Sequence, residues 1–185
     1  MIDKIIAPQS IGKVGVSQVD ITPPVGIYHR MWGAAKHDKS TGVHRPLMLT
    51  VFWFQHSDDS SKKFVLITMD HCILDGMEIN AIRKLVATSC DINQSNVVVS
   101  LSHTHGSGWM SRTRSGLPGG EFIAPYLDGL INQCVNSSID AMRNSQAAYL
   151  TFGSTRCNLA THRDYYDEKS RQFVCGFNPQ GFADD

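Results

Sequence analysis

Apolar residues along this chain switch between two periods, and the switches mark the elements. From Gly12 to Asp20, Val14, Val16 and Gln18 alternate with Gly15, Ser17 and Val19, and Thr22-Pro23-Pro24-Val25-Gly26 ends the strand this predicts. A long irregular segment runs on to Arg45, of a length that in compact domains usually serves function, so it is a candidate wall of a binding cleft. Pro46 to Gln55 and Phe64 to Met69 are apolar and partly β-branched, and the polar run Ser57 to Lys63 between them predicts an antiparallel hairpin. Ile79, Ile82, Leu85 and Val86 then recur at helical spacing as far as Ala87. The strand Asn96 to Leu101 follows. Phe122, Ile123, Tyr126, Leu127, Leu130, Ile131 and Cys134 open a long helix to Asn144, with Pro125 acceptable in its first turn. Ala147 to Gly153 returns as a strand, and Ser154 to Asp185 is polar with short β-prone pieces such as Gln172 to Cys175.

Strands interleaved with amphipathic helices predict an α/β fold, a mixed β-sheet layered with helices. With no repeat and no visible linker, residues 1–185 read as a single domain. The tail from Phe177 to Asp185 stops in a loop soon after a strand that needs a partner, so the domain reads as interrupted, its remainder expected beyond Asp185.

Composition narrows the classes. The chain is 42% hydrophobic and 18% charged with a formal net charge of zero, which suits a soluble globular protein and offers no basic patch for nucleic acid or anionic lipid. No apolar run reaches membrane-spanning length, and Met1 to Pro8 lacks a secretory h-region, so a cytoplasmic protein is expected. Cys72, Cys90, Cys134, Cys157 and Cys175 form no Cys-x-x-Cys pair and are expected to be mostly buried thiols in a reducing compartment.

The chemistry gathers at Ser102-His103-Thr104-His105-Gly106-Ser107-Gly108, directly after the strand Val97 to Leu101. Were the strand to continue, His103 and His105 would project from one face about 7 Å apart, close enough to serve one reacting centre. Zinc accepts imidazole readily, and a catalytic zinc usually takes three protein ligands and a water. A His-x-His-x-Asp-His hydrolase needs acid and imidazole where this chain has Ser107 and Gly108, and a cupin needs an acid nearer than Glu121. Asp70-His71 ends the neighbouring candidate strand as His103 ends its own, and open α/β sheets bind ligands beyond the carboxyl ends of strands. Asp70 is therefore a candidate second-layer acceptor that orients a histidine, with a turn or helix-cap role as its alternative. His44 and His71 read as packing or capping groups, and Trp32, Gly33 and Trp109 as candidates for substrate contact in an apolar groove.

Val14-Gly15-Val16 through Val19-Asp20-Ile21-Thr22-Pro23-Pro24-Val25-Gly26, then Gly42-Val43-His44-Arg45-Pro46-Leu47, the strand ending in Asp70, and Asn96-Val97-Val98-Val99-Ser100 running into His103-Thr104-His105 resemble, in order, the N-terminal part of the neutral/alkaline ceramidase family. Thr161-His162-Arg163 is similar to that family's Asn-Arg segment. The resemblance implies a zinc-dependent amidohydrolase that cleaves N-acylsphingosine, a lipid-like substrate, to sphingosine and a fatty acid. It implies His103 as zinc ligand, His105 as partner of the reacting carbonyl, and Arg163 at that carbonyl or the product carboxylate. Family members commonly read His-Thr-His-Ser-Gly-Pro where this chain has Gly106-Ser107-Gly108-Trp109 after His105, which leaves the substrate open. The family's other zinc ligands, a His, a Glu and a Tyr, and its serine in a Gly-Asp-x-Ser-Pro segment are expected beyond Asp185. Two alternatives stand beside this reading: a zinc hydrolase of the same fold acting on another amide or ester, and a non-catalytic fragment holding part of a metal site.

Overall fold

The computed structural model describes residues 10–31, 35–157, 159 and 164–175. Three of the candidate site residues, Trp32, Gly33 and Arg163, lie outside the described residues. The chain divides into two units, Ser10–Leu150 and another that contains the hairpin of β8 (Asp164–Asp167) and β9 (Gln172–Cys175).

The larger unit is a mixed α/β layer, as the periodicity predicts. Its main sheet is ordered β5 (Val97–Leu101), β3 (Lys63–Met69), β2 (Met48–His56), β1 (Ser10–Asp20), β7 (Gln146–Leu150). The β2–β3 hairpin is antiparallel, pairing Leu49 with Met69 and Gln55 with Lys63. β3 and β5 run parallel, with Met69 opposite Leu101, so the two strands end side by side. A parallel pair needs a crossover, and α1 (Gly76–Ser89) supplies it. The short strands β4 (Ile73–Leu74) and β6 (Trp109–Met110) add a second parallel pair beside the site, too brief for periodicity to reveal. The predicted strand past Ala147 ends at Leu150, where its pairing with β1 stops.

Alternation decides which face is buried. Leu49, Val51 and Trp53 of β2 and Val65, Ile67 and Met69 of β3 are buried against Ile82 and Val86 of α1 and Ile123, Leu127, Leu130 and Cys134 of α2 (Ile123–Arg143). The opposite face carries Phe52, Phe54 and Phe64 in a ring row. Gly15 of β1 has no side chain because α2 crosses there; a Cβ would collide with the carbonyl of Ala141. Of the described cysteines, Cys72, Cys90 and Cys134 are buried, as expected of structural thiols, whereas Cys157 is exposed.

One buried polar group joins the sheet to α2. His71 is fully buried, its Nε2 3.1 Å from the hydroxyl of Tyr126, which itself donates to the carbonyl of Ile21 at 2.9 Å. With its own proton committed, the Tyr126 oxygen accepts, so His71 Nε2 carries a proton; Nδ1 has no partner among the described residues. Desolvation pushes the imidazole pKa down to about 4, because a second proton would be buried without an acceptor.

The sign follows from linkage. Below about 6.5 the unfolded chain takes up a proton that the folded chain refuses until about 4, so stability falls as pH drops through that window, by about 3 kcal/mol in all. The carboxylates of Asp20, Asp59 and Asp167, held low by hydrogen bonds from Thr22, Ser61 and Ser170, keep their contribution above about pH 5 and add to the loss only at the acid end of that window. Urea unfolding of the metal-free protein between pH 7 and 4 is expected to show this loss and His71→Gln to flatten it; equal slopes in both would contradict the assignment.

Candidate active site

Two chain segments meet where β3 and β5 end: 70–75 after β3 and 102–108 after β5. The ladder closes with the Ser102 amide donating to the Met69 carbonyl at 3.0 Å. Beyond it the expected strand does not continue. His103 takes a left-handed conformation, φ 56°, a region costly for most side chains but less so for histidine. The two imidazoles therefore converge by a turn of the backbone rather than by strand alternation. Their ring centroids lie 5.3 Å apart, edge to face, and both residues are exposed.

The turn is held by hydrogen bonds to Cys72, 2% exposed. His103 Nδ1 lies 3.1 Å from the Cys72 carbonyl oxygen; a carbonyl only accepts, so Nδ1 carries a proton, and in the neutral ring the lone pair is on Nε2. That bond contributes about 1 kcal/mol, enough to offset much of the backbone strain. The Cys72 amide donates to Ser107 Oγ at 2.8 Å, and the Ser107 hydroxyl reaches the Thr104 carbonyl at 3.3 Å. Residue 72 thus grips the histidine loop through both its backbone groups. Gly108, φ 74°, passes so close to His29 that a Cβ would stand 2.8 Å from its carbonyl oxygen. His29 Nε2 donates to the Gly106 carbonyl at 2.8 Å.

Cys72 also brings a donor atom. Its Sγ is 3.5 Å from His103 Nδ1 and 4.0 Å from Nε2, and ligand atoms of Cys72, His103 and His105 all lie within 4.8 Å of one another. Desolvation raises the thiol pKa. Sulfur with two imidazoles is a donor set suited to zinc and poorly suited to magnesium or calcium.

The other sequence candidates take distinct places. Asp70 Oδ2 accepts from the Met48 amide at 3.0 Å and so fixes the start of β2. Trp109 donates its indole N–H to Asp75 at 3.2 Å, and the Arg114 guanidinium lies 4.4 Å over its ring. Asp75, the residue before α1, also accepts from the Ser111 hydroxyl at 2.6 Å, so its carboxylate secures the loop rather than capping the helix. Beneath it, Arg112 pairs with buried Glu78 at 2.8 Å and exposed Asp128 at 2.6 Å; these bonds, Asp128's the larger, raise the guanidinium's pKa. A cleft of about 390 Å³ opens beside Thr104 and Gly106, which bracket His105, and the irregular segment before β2 lines it with Ile27, Val43, Leu47, His29, His44 and Arg45.

Cys72 and Ser107 escaped the sequence reading. Cys72 is 31 positions from His103, and only the parallel pairing of β3 and β5 makes them neighbours. The signal for Ser107 was its departure from the familiar motif. Ser107→Ala leaves the buried Cys72 amide without its partner, at a cost of about 1–3 kcal/mol, so calorimetry is expected to show a Tm lower by several degrees; an unchanged Tm would contradict this role.

Comparison with curated proteins finds no match. Residues 13–164, which take in most of β1, the β2–β3 hairpin, both helices and the histidine turn, match the model of the neutral/alkaline non-lysosomal ceramidase N-terminal domain. The match covers most of the chain, and the chain belongs to the neutral/alkaline non-lysosomal ceramidase family.

Proposed function

We propose that this chain is part of a zinc-dependent amidohydrolase acting on N-acylsphingosine-like lipids, with His103 as the metal ligand it contributes. The observation that carries this reading is the convergence of His103 and His105 beyond the strand ends, with the bond from His103 Nδ1 to Cys72 selecting the neutral tautomer whose lone pair is on Nε2. Zinc, when bound, lowers the pKa of its water towards 7 and polarises a carbonyl. His105 donates to the oxygen of the scissile amide, where negative charge develops. Arg163 acts on that carbonyl or holds the product carboxylate, as the resemblance implies. Asp70 acts from behind, by setting the strand junction from which the Cys72 segment departs. Apolar residues of the cleft accept part of the lipid, with Trp32, Gly33 and Trp109 as further contacts. A further His, a Glu and a Tyr, as the resemblance implies, complete the metal shell. We place the reaction in the cytoplasm, where thiols such as Cys72 stay reduced. Among the described residues no helix is long and apolar enough to cross a membrane.

The loop after His105 favours one second reading. Its Gly106-Ser107-Gly108 sequence differs from the family pattern and borders the cleft, so the same chemistry applied to another amide or an ester follows naturally. Turnover of a panel of amides and esters decides between them.

Fluorogenic N-acylsphingosine supplied to the full-length gene product is expected to be hydrolysed, with activity lost on chelation and in His103→Ala. His105→Ala is expected to lower kcat by about 10²- to 10³-fold, as for loss of one oxyanion donor. Undiminished turnover after chelation would overturn the metal's role.

A further inference from the structure

We propose that the cleft beside His105 is an anion-accepting subsite, so that the amide cleaved here carries a carboxylate on its amine part, as an N-acyl amino acid does. The inference rests on the hydrolytic role proposed for the histidine turn and favours the second of its two substrate readings.

Charge balances over the whole chain, with 17 Lys and Arg against 17 Asp and Glu. Around the cleft it does not. The lining holds Arg45 with His29, His37 and His44, and no Asp or Glu among the described residues. The carboxylates nearest to it in sequence are engaged elsewhere: Asp38 pairs with Arg30 at 3.1 Å, and Asp20 accepts from the Thr22 amide at 2.7 Å. His29 commits its Nε2 proton to the Gly106 carbonyl. Arg45, His37 and His44 are exposed and make no hydrogen bond or ion pair among the described residues.

The wall that carries these groups is preformed. The Leu47 amide donates to Thr22 Oγ1 at 2.9 Å and the Ile21 amide to the Leu47 carbonyl at 2.8 Å, which fixes Arg45-Pro46-Leu47 against the end of β1. Across the cleft segment, the Gly26 amide donates to the Ser40 carbonyl and the Ser40 amide to the Ile27 carbonyl, each at 3.0 Å.

One permanent positive charge matches a monoanion, and a planar guanidinium pairs with a carboxylate through two parallel N–H bonds. The neutral imidazoles of His37 and His44 can each add one donor. The cleft, of about 390 Å³, stands near the lower end of the range for ligand sites, about 300–1,000 Å³. Thr104 and Gly106, also part of its lining, bracket His105, so only a short link separates the anion from the scissile amide. On the acyl side so short a link would leave no fatty chain for the lipid-like substrate expected of this site; the anion therefore belongs to the amine part. Hydrolysis adds water across the C–N bond, hydroxyl to the acyl carbon and hydrogen to the nitrogen, and releases a fatty acid and an amino acid.

Calorimetric titration of the full-length gene product with N-octanoylglycine and with its neutral isostere N-octanoylglycinamide tests this independently of turnover. The carboxylate is expected to bind about tenfold more tightly. That preference is expected to shrink as sodium chloride rises from about 0.05 to about 0.5 M, to vanish in Arg45→Gln and to persist in part in Arg45→Lys. Equal binding of the two amides, a preference indifferent to salt or retained in Arg45→Gln, or tighter binding of the phosphate ester of N-octanoylethanolamine than of N-octanoylglycine would each overturn the proposal. The salt dependence of the unmodified protein decides the point by itself should a variant fail to fold. Anion-selective binding with neither amide hydrolysed upholds the subsite and refutes the amidohydrolase reading; equal binding with both amides hydrolysed at the same kcat/KM does the reverse.

Discussion

The parallel pairing of β3 with β5 is the constraint on which the site depends. Within the main sheet it is the one parallel contact, and it makes two strands far apart in sequence finish at the same edge. An antiparallel neighbour would have sent the chain after β5 to the opposite end of β3. Because α1 crosses over between them, the segment after Met69 and the segment after Leu101 leave the sheet together, and every contact between Cys72 and the histidine turn follows from that exit.

What the pairing brings close, hydrogen bonds then shape. Two of them use the backbone of residue 72, one holding Ser107 and the other His103. The second has a chemical consequence beyond positioning, since it decides which imidazole nitrogen keeps its lone pair. The left-handed backbone at His103 is the strained element of this arrangement, and the bonds around it are what make the strain tolerable. On the far side Asp75, Trp109, Ser111 and the Arg112–Glu78 pair tie the outgoing loop to the start of α1. The histidine turn is thus anchored at both its ends to rigid elements, as a site that must hold donors in place requires.

The elements long enough to repeat their period were legible in the sequence. β1, the β2–β3 hairpin, both helices and β5 follow from alternation or helical spacing, and their ends agree to within a few residues. The β4–β6 pair did not, because two-residue strands have no period and exist only through tertiary pairing. The histidines were found for a reason that proved incomplete: strand alternation would have aligned them, yet the strand stops at Leu101 and a turn does the work. Cys72 was invisible as a site residue because a buried thiol three positions past a strand looks like any core cysteine until the partner strand is known. Asp70 was noticed for its position, and its carboxylate is occupied at the β2 junction with Met48.

The proposed metal role of His103 requires Nε2 to be the unprotonated nitrogen of its ring. Nitrogen-15 correlation spectra of the imidazoles, recorded in the metal-free protein near neutral pH and again after zinc is added, read it directly. The predicted result is a neutral His103 protonated at Nδ1 before zinc, with the Nε2 resonance displaced on addition and the Nδ1 proton retained. A His103 protonated at Nε2, or resonances indifferent to zinc, would contradict it.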